Sequence, residues 1–105
     1  MVPQITVEEL KARMDAGERV YLIDVRQQWE NDLAALPGSL LVPLQELALR
    51  QDEVQPPDGA LVVVYCHHGV RSLSGAALLE QHGAVSLAGG IEAWSERIDP
   101  AIPLY

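Results

Sequence analysis

The run Leu61-Val-Val-Val-Tyr65 constrains this chain more than any other stretch. Five apolar residues in a row, three of them β-branched, leave no polar face, so a strand here has to be covered on both sides. Such a strand belongs in a sheet layered between helices. The next residues supply such a helix. From Arg71 the spacing turns helical, with Leu73, Ala76, Ala77 and Leu79 on one broad face, a helix reaching about Gln81, and Gly83 past its end. The only cysteine, Cys66, stands at the junction. A thiol there faces the free N–H groups that open the helix. Those groups and the helix dipole favour an anion, the thiolate included.

The rest of the chain alternates in the same way. Thr6 caps a helix from Val7 to about Asp15, with Glu9 completing a capping box, Ile5 and Leu10 a hydrophobic staple, and Gly17 a stop. Residues 20–25 read as a second buried strand that ends in a polar pair, Asp24 and Arg26. A short helix over 28–33, a turn at Pro37-Gly38 and a short strand over 40–42 closed by Pro43 come next. Leu44, Leu47 and Ala48 mark a small helix, and residues 51–59, with Pro56-Pro57 and several acids, a surface loop. A brief strand over 85–87, a turn at Gly89-Gly90, a short helix over 91–97 and a tail to Tyr105 complete the chain. Alternating strands and helices predict one α/β domain over residues 1–105 with a largely parallel sheet. Ligands of such sheets bind beyond the C-terminal ends of the strands. Cys66 and the Asp24–Arg26 segment lie at two such ends and are predicted to share a rim.

At 105 residues the chain buries about two-thirds of its unfolded surface, enough for a core without staples. Fifteen acidic residues against seven basic ones give a formal charge of −8, which repels phosphate backbones and anionic lipids. Neither nucleic acid nor membrane is an expected partner, and no apolar run reaches the roughly 20 residues of a bilayer span. A single cysteine excludes an internal disulfide and fits a reducing compartment. With no signal-peptide pattern at the start, the expected location is the cytoplasm. A monomer is the expected state. No metal is expected either: beside His67 and His68 the only other histidine is His82, near the far end of the predicted helix, and structural zinc needs four ligands in spaced pairs.

Taken together, these segments resemble a family. Cys66-His-His-Gly69-Val-Arg71-Ser72 is similar to the active-site loop of single-domain rhodaneses, written Cys-x-x-Gly-x-Arg-Ser. Leu22-Ile-Asp-Val-Arg26 with Trp29-Glu30 resembles the family's early Asp-x-Arg…Glu signature. Leu36-Pro-Gly-Ser39 with Val42-Pro-Leu44 resembles the second, and Gly89-Gly-Ile-Glu-Ala-Trp94 the closing one. These four segments span nearly the whole chain in the family's order.

The resemblance implies a rhodanese-like domain, with a central parallel five-stranded sheet flanked by helices on both faces. It also implies a sulfurtransferase in which Cys66 takes a sulfane sulfur from a small donor, thiosulfate or a persulfide, and passes it to a thiophilic acceptor, a protein among the possibilities. No cofactor is implied. In this reading the loop N–H groups from His67 through Ser72 form a nest for the anionic sulfur. His67, His68, Gly69, Val70, Arg71 and Ser72 are the substrate and persulfide loop, with Arg71 either bracing it through a carboxylate or steering an anionic donor. Gly69 meets a backbone need of the tight loop. Asp24 and Arg26 are expected to pair structurally, with Glu30 a partner for Arg26; Trp29 and Trp94 are expected in the core.

Two departures from the family's pattern stand out. Ala35 replaces a histidine often found before the second signature's Pro-Gly, and two histidines follow Cys66, which leaves substrate identity open. Three rival readings remain. A phosphatase or arsenate reductase on the same scaffold has one more residue between cysteine and arginine than the four here. A non-catalytic rhodanese-like binding or sulfur-carrier module is the second, although inactive relatives usually lack the cysteine that this chain keeps. A thiol redox sensor lacks a second cysteine here to resolve a sulfenate.

Overall fold

Five strands, all parallel, form one sheet in the order β1-β5-β4-β2-β3 in a computed structural model that describes residues 1–105. In chain order the elements are β1 (Gln4–Ile5), α1 (Val7–Asp15), β2 (Val20–Asp24), α2 (Gln28–Leu33), β3 (Leu40–Leu41), α3 (Leu44–Leu47), β4 (Leu61–Tyr65), α4 (Arg71–Leu78), β5 (Val85–Leu87) and α5 (Gly90–Arg97). The apolar run Leu61–Tyr65 is the middle strand, as its lack of a polar face requires. Its register with β2, Val20 against Leu61 through Asp24 against Tyr65, brings the two strands to the rim at the same height. Val25 and Cys66, the next residue of each strand, therefore leave the sheet side by side and share one core layer.

Strand alternation sorts the core into two layers. Leu22, Val63, Tyr65 and Leu87 face one side and pack with Leu10 of α1 and Ile91 and Trp94 of α5. Ile23, Val62, Val64 and Cys66 face the other and pack with Leu47 of α3 and Ala76 of α4. Helices thus cover both faces, as the resemblance implied. Gly75 brings α4 close: a Cβ there would lie 2.9 Å from Val64 Cγ1 and 3.1 Å from Val25 Cγ1. That contact sets the start of α4 against the end of β4, where Cys66 sits.

The capping box of α1 forms as expected, Thr6 Oγ1 accepting from the Glu9 N–H and Glu9 Oε1 from the Thr6 N–H, both at 3.1 Å. The staple residues Ile5 and Leu10 share one core layer. Some elements differ from expectation. Ile5 belongs to a two-residue edge strand as well as to the staple, too short to show a period in sequence. The second and third strands end at Asp24 and Leu41, one residue early. The helix after Cys66 ends at Leu78 and continues as a 3₁₀ turn over Glu80–His82 that Gly83 closes with a left-handed backbone. Trp94 is buried as expected, but Trp29 is not: it is 60% exposed, with its ring in a T-shaped pair with Tyr105 at 6.1 Å. The short α2 points Glu30, not Trp29, inward. No helix is long and apolar enough to cross a membrane.

Candidate active site

Cys66 is 1% exposed, at the floor of the loop that joins β4 to α4. The Gly69 N–H donates to its Sγ at 3.1 Å and the Ser72 N–H at 3.3 Å. The thiol in turn lies 3.4 Å from Ser72 Oγ, which shares a buried 2.7 Å hydrogen bond with Ser86 Oγ of β5. Two main-chain donors converge on one sulfur, and Ser72 lies beside it with its side chain as well as its backbone.

The peptides just after Cys66 are anchored on α5. The first N–H groups of α5 are taken by the loop's carbonyls, Ile91 donating to Cys66 O at 2.9 Å and Glu92 to His67 O at 3.2 Å. Satisfying both the loop's carbonyls and the helix's free N–H groups fixes the path of the loop. The approach needs glycine on both sides. Gly69 has φ 97°, and a Cβ on it would stand 2.9 Å from Gly89 N; Gly90 has φ 62°, and a Cβ on it would stand 2.3 Å from His67 O. The Gly89-Gly90 turn is therefore part of the site although it holds no reactive group.

Charged residues brace the loop from the other side. Arg71 is held by both oxygens of Glu30, at 2.7 and 2.8 Å. Glu30 also accepts from the Gln27 N–H at 3.0 Å and from the Tyr105 hydroxyl at 2.8 Å. The Arg71 hydrogen bonds hold the Glu30 carboxyl down to about 2, against a burial that acts to raise it. Arg26 is wholly buried, and burial works against its charge; its two bonds to the Asp24 carboxylate at 2.8 Å and one to Tyr105 Oη at 2.8 Å outweigh that, so it stays charged. Tyr105 thus joins the two ion pairs, and burial pushes its own hydroxyl up to about 12.

Over the loop lies a stack of rings. His67 is 4.0 Å from Tyr105 and 3.8 Å from His68, centroid to centroid, with interplanar angles of 11° and 24°. Burial, and then the neighbouring His68, lower the pKa of His67, whose Nε2 is covered and has no hydrogen-bond partner. His68 Nε2 lies 3.1 Å from Glu92 Oε2. His67, His68 and Glu92 bring ligand-type atoms within 4.8 Å of one another, a grouping that counting histidines does not reveal. Its geometry does not suit an ion. Nitrogen lone pairs lie in the ring planes, so a metal about 2.1 Å from both rings of a stacked pair sits far out of both planes.

The predicted residues are mostly brought together, with two changes of role. Asp24 pairs with Arg26, but the Glu30 carboxylate goes to Arg71; Arg26 touches Glu30 only at its backbone oxygen, at 3.4 Å. The expected nest over residues 67–72 is narrower, with only Gly69 and Ser72 donating to the sulfur. Val70 is 72% exposed at the loop's tip. Tyr105, Glu92, Ser86 and the Gly89-Gly90 backbone contacts had no signal tying them to Cys66. Two apolar cavities, beside Val2 and Ala84 and beside Leu10 and Leu36, are lined by no residue of the loop.

Known proteins share this outline. The model of the family described as "Rhodanese-like domain" matches residues 6–97. A protein of Allochromatium vinosum named "Sulfurtransferase" is 34% identical over 105 residues, covering 97% of this chain and 96% of that one. The "Probable adenylyltransferase/sulfurtransferase MoeZ" of Mycobacterium tuberculosis is 35% identical over 104 residues, which are 96% of this chain but only 26% of MoeZ. This chain thus spans about a quarter of that relative's length. Among solved structures, a rhodanese-related protein from Thermoplasma volcanium superposes with a TM-score of 0.80 at 27% identity, covering 98% of this chain and 99% of its own.

Proposed function

The chain belongs to the rhodanese-like domain family, and on that premise we propose that it is a sulfurtransferase carrying its sulfur as a persulfide on Cys66. The observation that supports this most is the pair of N–H groups, from Gly69 and Ser72, aimed at one buried sulfur. In the first half-reaction the Cys66 thiolate attacks the outer sulfur of a donor. The donor's S–S bond breaks, its electron pair leaves with the rest of the donor, and Cys66 is left with one extra sulfur. In the second half-reaction a nucleophile attacks that outer sulfur and Cys66 leaves as the thiolate.

Each step needs a place for negative charge on or beside Sγ, and the nest offers one without a cation. Arg71 acts as a brace here, because two of its N–H groups are given to the Glu30 carboxylate at 2.7 and 2.8 Å. Four residues between Cys66 and Arg71, and an arginine already engaged, argue against a tetrahedral phosphate or arsenate as substrate. Steady-state kinetics with a sulfane-sulfur donor and cyanide test the proposal. Parallel double-reciprocal lines for the wild type and no turnover by Cys66→Ser are expected. Intersecting lines, or turnover without the thiol, would contradict a covalent intermediate. A persulfide that forms but reacts with no small acceptor would point to a sulfur-carrier module instead.

A further inference from the structure

The chain has seven basic side chains, and where they are spent bears on what reaches Cys66. Lys11, Arg13, Arg26, Arg50, Arg71 and Arg97 each lie within 2.9 Å of a carboxylate oxygen. Arg19 alone has no such partner, and it immediately precedes β2, a five-residue strand whose far end faces the site. That places it roughly 17 Å away along the sheet. No unpaired lysine or arginine therefore stands at the loop.

Apart from Arg71, partly exposed but paired with Glu30, what stands there is apolar, aromatic or acidic. Val70 and Trp29 are exposed, the Tyr105 ring covers His67, and Glu92 lies beside His68. Burial keeps His67 on the neutral side of its ordinary titration. The nest's two N–H groups are turned onto Sγ itself. A formal charge of −8 surrounds all of this. Thiosulfate is a dianion and must give up water against such a rim.

We infer that this site selects its sulfur donor by charge, taking sulfur from persulfides on uncharged or cationic thiols in preference to thiosulfate and other anionic donors. The inference rests on the sulfurtransferase reading and narrows it. With a persulfide the step is Cys66–S⁻ + R–S–SH giving Cys66–S–SH + R–S⁻: a new S–S bond forms, the donor's breaks, and its electron pair leaves on the thiolate. With thiosulfate it is Cys66–S⁻ + S–SO₃²⁻ giving Cys66–S–S⁻ + SO₃²⁻, with three negative charges brought together at the mouth.

The test measures the rate of sulfur addition to Cys66, by quenching and intact mass, at low and high salt. The donors are thiosulfate and freshly made persulfides of cysteamine, mercaptoethanol and mercaptoacetate, which differ by one charge each. The expected order is cationic, then uncharged, then anionic, spanning about tenfold at low ionic strength and shrinking as salt screens the field. The thiosulfate rate rises with salt. Glu92→Gln, which keeps the backbone bond to His67, raises the thiosulfate rate about two- to threefold, as expected for removing one nearby charge. Glu30→Gln, checked for folding, frees Arg71 and raises it further.

A thiosulfate rate that falls with salt, or an anionic persulfide as fast as the cationic one, overturns the inference while leaving sulfur transfer intact. Failure of every donor to modify Cys66 overturns the sulfurtransferase reading itself, and the inference with it.

Discussion

Replacing Gly90 with alanine asks whether the closing turn shapes the Cys66 loop. The new Cβ would stand 2.3 Å from His67 O, 2.5 Å from His67 C and 2.6 Å from Cys66 O. All three are backbone atoms, so relief to ordinary contact needs a shift of about 1 Å in the loop or in α5. The backbone at φ 62° adds about 1–2 kcal/mol for any residue with a Cβ. The shift also loosens the bonds from Ile91 N to Cys66 O and Glu92 N to His67 O, worth about 0.5–1.5 kcal/mol each. Together these amount to about 2–5 kcal/mol of lost stability.

Gly38→Ala is the matched control, because Gly38 has φ 78° and a Cβ there meets nothing within 4 Å. Its loss should be about 1–2 kcal/mol, with normal sulfur uptake. Urea unfolding gives the stability, and the rate of sulfur addition to Cys66 is read where both variants are folded. Gly90→Ala should be the less stable of the two and slower by on the order of 10- to 100-fold, as a 1 Å misplacement allows. If it matches Gly38→Ala in both measurements, the turn does not shape the site.

Glu30 ties the loop to pH. With its folded pKa held down to about 2 and an unfolded value near 4.3, it contributes about 3 kcal/mol at neutral pH. A depressed carboxyl pKa gives stability that is full above the unfolded value and is lost as pH falls toward the folded one. Roughly 2 kcal/mol should therefore be gone by pH 3. Glu30→Gln should flatten that acid limb in urea titrations, and an unchanged limb would count against the pairing. Tyr105→Phe removes the hydroxyl between Arg26 and Glu30 and should cost about 1 kcal/mol. Tyr105→Ala should cost more and, by uncovering the ring, move the His67 pKa up toward its ordinary value in proton NMR; a fixed His67 titration would show that the stack does not shield it.

The parts legible in sequence are those whose physics is local. Thr6 and Glu9 sit three residues apart, and the capping box they form needs nothing else. The run Leu61–Tyr65 declares a strand covered on both faces because every one of its residues is apolar. The Cys66–Ser72 loop is one continuous segment, so its spacing can be read directly. Contacts across the chain are not legible in that way. Closeness in sequence pairs Glu30 with Arg26, whereas its carboxylate reaches Arg71, 41 positions away. The Tyr105 contacts, 75 and 79 positions away from Glu30 and Arg26, belong to a tail with no period to read. Hydrophobicity alone places Trp29 in the core, but α2 is too short to bury two adjacent positions and spends its inward one on Glu30. Gly89-Gly90 reads in sequence as a turn and as part of the closing signature, but nothing in a sequence says which carbonyls a helix start will meet.

In the proposed cycle Cys66 carries the sulfur. The most direct test is the intact mass of the protein after incubation with a sulfane-sulfur donor, without reductant or acceptor, beside Cys66→Ser. The native chain should gain one sulfur atom and lose it to cyanide, and the variant should gain none. With one cysteine in the chain, the site of that sulfur would be unambiguous. A native chain that gains nothing from thiosulfate or from any persulfide, or a Cys66→Ser chain that gains as much, would contradict that cycle.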